Sequence, residues 1–483
     1  MADHFDLLVV GAGPAGEKGA AQAAYFGKRV CIVERAPKPG GAAVNTGTIP
    51  SKTLRETALY FSGLRQRGLY GIEYHVQPNI TISDFMYRER AVVEASWQLI
   101  DDNFARHHVT VVQGTARLVD AHTVEVTRFH DVNRLTADVI LIATGSHPLR
   151  PAEIPFDGEV VVDSDDILML QAIPQRMVVI GGGVIGCEYA GIFGALGCRV
   201  TIVNQRERLL TQLDAEVSEA LQADMTRRLG AQVMVNAEVK SVRVEGTDKE
   251  RIAVVSLTDG TDIVADCVLY SVGRVGSTKD LGLEEAGVRT NPRGFVKVDE
   301  NFRTTVPSVF AAGDVIGYPA LAATSMEQAR VAMCHAFDLK YKERVSQVLP
   351  YGVWTVPEIA MVGETEESAR EKGLAFETGK SGYRTNPRGQ IIGDLDGFVK
   401  LIFQRGDQKL LGCSVFGESA CELIHVAAAV LTFGGTIDYF IQGVFNYPSL
   451  SDAYKYAAYD GLQRMARRAS RSGGLPAAAA VKA

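Results

Sequence analysis

The sequence predicts an α/β fold, and three observations predict it. A strand–glycine turn–helix–strand unit opens the chain, and a second unit of the same length begins at Met177. From about Pro350 the pattern changes to mixed strands and helices without such turns, a region of α+β character.

The first unit reads as a short apolar strand at Asp6–Val10, the turn Gly11-Ala-Gly13-Pro14-Ala15-Gly16, a small-residue helix at Ala20–Phe26 stopped by Gly27, and a strand at Arg29–Val33 ending on Glu34. The second reads as strand Met177–Ile180, turn Gly181-Gly-Gly183-Val184-Ile185-Gly186, helix Cys187–Leu196 stopped by Gly197, and strand Arg199–Val203 ending on Asn204. From the first glycine to the residue closing the second strand is 23 positions in each copy, 11 to 34 and 181 to 204. Each turn follows a strand and opens a helix. That is the context in which the first glycine makes a tight turn, the second admits a pyrophosphate, and the third lets helix and strand pack closely. The helix N-terminus then offers unpaired N–H groups and a positive dipole end to phosphates. Two Rossmann-like dinucleotide-binding domains are therefore expected.

The copies differ at the strand end. Glu34 is suited to accept hydrogen bonds from a ribose 2′-OH, as in the adenosine of FAD, and Arg35 follows it. Asn204 still hydrogen-bonds an unphosphorylated ribose, while Arg206 and Arg208 follow it. A 2′-phosphate carries roughly −1.5 to −2 charges, which glutamate repels and arginine attracts. The second site thus suits NADP(H) without excluding NAD(H).

Composition agrees with a globular chain: 483 residues, 46% hydrophobic and 22% charged. The length accommodates about three domains. The formal charge of −7 argues against a nucleic-acid binder. No signal peptide is legible, and no apolar stretch reaches the roughly 18–20 residues of a membrane helix, so a soluble, cytoplasmic protein is expected. The seven cysteines (31, 187, 198, 267, 334, 413 and 421) form no close metal-type pair and sit mostly in apolar runs. They read as small buried hydrophobes in a reducing compartment, with no metal site.

Between the two copies lie a strand at Asp138–Ala143 leading into Thr144-Gly145 and a proline-rich linker at Pro148–Pro155. After the second copy come a strand at Cys267–Val272, then Gly273-Arg274, then Val309-Phe-Ala-Ala-Gly313-Asp314. The alanine-, arginine- and serine-rich tail from Ala466 is expected to be disordered.

Four more segments occur in order: Thr48-Ile-Pro-Ser-Lys52, Gly183-Val-Ile-Gly-Cys-Glu188, Phe310-Ala-Ala-Gly-Asp314 and Tyr351-Gly-Val-Trp-Thr-Val-Pro-Glu358. With the two turns, they resemble the flavoprotein disulfide reductases over residues 4 to about 465. The resemblance implies an FAD-binding domain in two parts (1–150 and 274–348), an NAD(P)-binding domain at 151–273, a dimerisation domain at 349–466 that makes a homodimer, and a tail at 467–483. It implies that Asp314 binds the ribityl chain or pyrophosphate of FAD. It also implies that Lys52 sits by flavin N5 paired with Glu188. Gly41, Thr46, Ala143, Thr144, Gly145 and Ala322 belong to the implied cofactor-binding set, as do Gly273 and Arg274. The pair is physically reasonable: reduced flavin gains negative charge near N1 and N5, and a fixed cation stabilises it.

The departures from the family bear on function. The positions of its two redox cysteines are Ala43 and Thr48, and the place of its His-Pro pair and following glutamate is Tyr447-Pro448-Ser-Leu-Ser-Asp452. Without a thiolate there is no nucleophile for disulfide exchange, and without the histidine no acid–base partner. Hydride transfer remains. Asn45–Arg55, Gly313–Pro319 and Phe445–Pro448 are similar to a transhydrogenase branch of the family. That implies a ping-pong exchange of hydride between NADPH and NAD⁺ through flavin N5, Thr48 lying under the flavin. Tyr447 and Asp452 would close its far face from the other subunit or hold the dimer together. Val184 stands where glutathione reductases place an aromatic lid. An NAD(P)H:quinone or dye reductase of the same fold is the alternative, since it needs no thiol either.

Overall fold

The computed structural model describes residues 3–63, 69, 80–247 and 251–471. The chain forms two compact units. The first comprises Met1–Leu54, Thr81–Ala172 and Ser271–Ser346; the second comprises Arg55–Ile80, Ile173–Tyr270 and Gln347–Ala483.

In the first unit a seven-stranded sheet runs in the order Thr110–Gln113, Val30–Glu34, Asp3–Val10, Asp131–Ile142, Thr123–Arg128, Thr115–Leu118, with Val309–Ala311 also paired to Asp131–Ile142. Asp3–Val10 lies between two parallel neighbours, with Leu7 opposite Val30 on one side and Val139 on the other. Its apolar run is continuous because both faces are covered. Leu7 and Val9 pack with the alanines of helices Pro14–Tyr25 and Ala322–Ala336, while Leu8 and Val10 pack with Leu118, Val124 and Val126 of the antiparallel strands. Each such side chain contributes about 1.5–3 kcal/mol on burial.

The second unit holds three sheets, the smallest a three-stranded antiparallel one of Val239–Glu245, Ile252–Leu257 and Asp262–Ala265. Its parallel sheet places Arg176–Ile180 between Arg199–Val203 and Cys267–Tyr270, with Gln232–Met234 beyond. Its C-terminal array is a five-stranded antiparallel sheet in the order Tyr351–Val353, Ile359–Gly363, Leu410–Phe416, Phe398–Gln404, Phe376–Gly382. Helices Ala420–Thr432 and Ala453–Arg471 cover it. Lys400, in the middle of that sheet, is buried and bonded to Asp214 at 2.9 Å, Glu216 at 3.0 Å and Glu366 at 2.5 Å.

Element boundaries differ from expectation in two places. Both turn helices start earlier than read, at Pro14 and Val184, because each opens directly from its turn. The last helix runs to Arg471, into the stretch expected to be unstructured; the rest of that tail lies outside the described residues.

Candidate active site

The first turn is built by backbone. Gly11 N–H donates to the Val33 carbonyl at 2.8 Å, and its φ of +102° is open to glycine. A Cβ on Gly16 would lie 1.8 Å from the Gly11 carbonyl oxygen, so only glycine lets the helix start there. Helix Pro14–Tyr25 begins at N-cap Gly13 without a side-chain cap, which leaves its first N–H groups to an outside acceptor. The Glu34 carboxylate accepts from Ala12 N–H at 2.7 Å and Ala36 N–H at 2.8 Å. The short helix Gly41–Asn45 roofs the turn: Gly40 N–H donates to the Ala12 carbonyl at 2.8 Å, and a Cβ on Gly41 would come within 2.9 Å of Gly13 Cα.

Two further predicted residues meet in the same unit, at Ser146. Ser146 Oγ donates to Asp314 Oδ2 at 3.1 Å and accepts from Arg274 Nε at 2.8 Å. Arg274 therefore stands with Asp314. Burial, and then the charges of Arg274 and Arg35, push the His147 imidazole below its ordinary range, a sign of a positive local field. Thr144 Oγ1 and Asp165 Oδ1 are buried with no hydrogen-bond partner among the described residues. Burial pushes the Asp165 carboxyl up, against the pull of Arg274 and of a hydrogen bond with Thr46. Helix Ala322–Ala336 starts without a side-chain cap. Unmet polar atoms, a positive field and uncapped helix starts fit a dinucleotide, which supplies hydroxyls and phosphates.

Thr46 follows the short helix, and Thr48 opens helix Thr48–Ser62. Thr48 is exposed and Ala43 half-buried. Lys52 is half-buried and its Nζ donates to Ser51 Oγ at 3.1 Å. Asn45 pins this segment, donating to the Pro39 and Gly41 carbonyls at 3.1 and 3.0 Å and accepting from Trp97 Nε1 at 2.8 Å. All seven cysteines are free and buried. Burial pushes the thiols of Cys31 and Cys198 up to about 12, and those of Cys187 and Cys413 up further, so thiolate is negligible at neutral pH.

The second turn repeats the frame in the second unit. Gly181 N–H donates to the Val203 carbonyl at 2.9 Å, and helix Val184–Ala195 starts at N-cap Gly183, again without a side-chain cap. A Cβ on Gly183 would meet nothing within 4 Å, so this turn is open. Val184 and Ile185 are half-buried on its first turn and Gly186 is buried. Asn204, expected as a ribose ligand, is 6% exposed and spends its amide on the backbone. It accepts from Gly182 N–H at 3.1 Å and donates to the Arg206 and Arg208 carbonyls at 3.0 and 2.9 Å. Glu188 is buried and accepts from Trp354 N–H at 3.0 Å. Tyr447 is 75% exposed and Asp452 half-buried.

Lys52 and Thr48 thus belong to the first unit, and Glu188, Tyr447 and Asp452 to the second. Sequence reading passed over Arg55, a fully buried cation that donates to the Thr355 carbonyl at 2.9 Å and lies 3.4 Å from Glu358. Its only sequence signal was its place in Asn45–Arg55. Among the described residues no group of three or more His, Cys, Asp or Glu is arranged to hold a metal. No helix there is long and apolar enough to cross a membrane.

A family model described as pyridine nucleotide-disulphide oxidoreductase matches residues 5–334, and the dimerisation domain of that family matches 349–458. A protein of Mycobacterium tuberculosis named soluble pyridine nucleotide transhydrogenase is 44% identical, over 96% of this chain and 98% of its own. One of the same name from Colwellia psychrerythraea is 38% identical, over 95% and 98%. Among solved structures, LpdA from Mycobacterium tuberculosis superposes with a TM-score of 0.86 at 29% identity, covering 95% of this chain and 99% of that one. A Cu(II) complex of the HOCl-induced flavoprotein disulfide reductase RclA from Escherichia coli superposes with a TM-score of 0.84 at 26% identity, covering 95% and 99%. The chain belongs to the pyridine nucleotide-disulphide oxidoreductase family.

Proposed function

We propose that this protein is an FAD-dependent transhydrogenase that passes hydride between NADPH and NAD⁺ without a redox disulfide. One observation carries this reading: both glycine turns keep their frame and uncapped helix starts, while every cysteine is buried with no disulfide. The names of the relatives agree with it.

The first turn, with Glu34, Thr144, Asp314 and the start of helix Ala322–Ala336, holds FAD. The second turn, with Arg206 and Arg208, holds the nicotinamide nucleotides in turn. Bound FAD supplies a centre that takes up hydride from one nicotinamide and gives it to another. Lys52 places a positive charge where the reduced flavin gains negative charge. The Trp354 N–H bond holds the Glu188 carboxylate in place. Val184, small at the helix start, leaves room for exchange of nucleotides. The protein acts as a homodimer through its C-terminal domain, with Tyr447 and Asp452 at the subunit contact. Seven buried cysteines outside disulfides fit a reducing cytoplasm, and no metal is required.

The test reduces the FAD-loaded protein with NADPH without oxygen, then adds thio-NAD⁺. Rapid reduction of thio-NAD⁺, with two reducing equivalents per subunit and no long-wavelength thiolate–flavin band, is expected. A reduced protein that ignores thio-NAD⁺ but is reoxidised at once by a quinone overturns the proposal in favour of a quinone reductase.

A further inference from the structure

Each residue of the second turn has a counterpart 170 positions earlier, as 204 has in 34. In the first copy, residue 34 is an acceptor only, and the N–H groups of residues 12 and 36 turn inward to meet it. In the second copy, the N–H of Gly182 still faces Asn204, at 3.1 Å. At residue 206, the counterpart of 36, it is the carbonyl that faces inward, at 3.0 Å, and the Arg208 carbonyl joins it at 2.9 Å. The amide orientation is fixed by its partners, since Gly182 N–H can only donate and the two carbonyls can only accept. The loop is tied from two other sides. Arg206 O also accepts from Asn236 N–H at 3.0 Å, and Leu210 N–H donates to Gly182 O at 2.8 Å.

With the carbonyls turned in, the two arginine side chains gather on Thr211. Arg206 Nη1 donates to its Oγ1 at 2.6 Å, and Arg208 Nη2 donates to its carbonyl at 3.3 Å. Arg208 Nε is buried with no partner, and among the described residues neither guanidinium forms an ion pair with a carboxylate. Two like charges held together with an unmet buried donor are costly until an anion completes them.

We propose that Asn204 is a positioning residue for nucleotide specificity: its amide holds the 205–208 loop carbonyl-inward and so sets Arg206 and Arg208 to receive a ribose 2′-phosphate. Asn204 does not itself bind the ribose. This rests on the second turn being the nicotinamide-nucleotide site. The strand-end residue and its loop form a matched pair: a carboxylate at 204 would face two carbonyl oxygens. Gly182 belongs to the pair, because a Cβ there would lie 2.8 Å from Asn204 Cγ as well as 2.7 Å from Leu209 Cδ2, whereas the first copy carries Ala12.

The test measures binding of 2′,5′-ADP and of 5′-AMP to the FAD-loaded protein by calorimetry, for the wild type, Asn204→Ala, Asn204→Asp and Gly182→Ala. The wild type is expected to prefer 2′,5′-ADP. Both Asn204 variants should lose about tenfold of that preference with both arginines still present, while 5′-AMP affinity moves less than about twofold. Gly182→Ala, which crowds Asn204 but leaves its chemistry intact, should lower the preference as well. Arg206→Ala added to Asn204→Ala should cost little more, because the two act as one unit. Equal weakening of both probes by Asn204→Ala identifies a direct ribose ligand and overturns the inference, as does an unchanged preference. A wild type with no preference overturns the 2′-phosphate site itself, and the inference with it.

Discussion

The two glycine turns share a frame but differ in cover. The first is roofed by Gly40–Asn45, which approaches so closely that a Cβ on Gly41 would touch Gly13. Above the second, a Cβ on Gly183 meets nothing. On the proposed function the roofed turn is the one that retains its nucleotide, a prosthetic FAD, and the open one is the one that exchanges interchangeable nicotinamide substrates.

Substitutions can break this comparison, and the largest effect is expected at Gly16. Gly16→Ala forces a Cβ to 1.8 Å from a backbone oxygen, so it should cost about 4 kcal/mol or more and leave the purified protein without FAD, read from its flavin-to-protein absorbance ratio. Gly41→Ala attacks the roof alone. Its φ of +53° and the contact with Gly13 should cost about 1–3 kcal/mol, and FAD should dissociate about tenfold faster at an unchanged KM for NADPH. Arg206→Ala probes the open turn. The KM for NADPH should rise about tenfold while that for NADH stays within about twofold. Gly183→Ala sharpens the contrast: its backbone is accessible to alanine (φ −82°) and its surroundings are empty, so Tm should barely move, within about 0.5 kcal/mol. The KM for both nicotinamide nucleotides should still rise a few-fold, because the new methyl stands where a pyrophosphate approaches. Smallest of all, a thiol reagent such as DTNB should label none of the seven cysteines in the native protein, leave activity unchanged, and label all seven once the chain is unfolded.

The two turns were legible because glycine leaves a sequence trace where a backbone turns at positive φ, as at Gly11 and Gly181. The roof was less legible. Gly41 was in the cofactor-binding set, but its contact with Gly13 joins residues far apart in sequence. Asn204 was read as a ribose partner, while in the structure its amide meets backbone groups, because an amide serves equally a ribose hydroxyl and a peptide group. Arg55 and the Lys400 cluster escaped for a related reason. A buried cation looks like a surface one until its acceptors, such as the Thr355 carbonyl or Asp214, arrive from distant parts of the chain.

The chain has only two tryptophans, and they fall one to each unit. Trp97 is bonded through its indole to Asn45, in the segment that roofs the first turn. Trp354 is bonded through its backbone to Glu188, on the helix that opens from the second. The intrinsic fluorescence of the protein is thus the sum of two local reporters. In Trp97→Phe the remaining emission comes from the second unit alone, and subtraction recovers the first. Loss of FAD and arrival of a nicotinamide nucleotide can then be watched as separate optical signals in one intact protein.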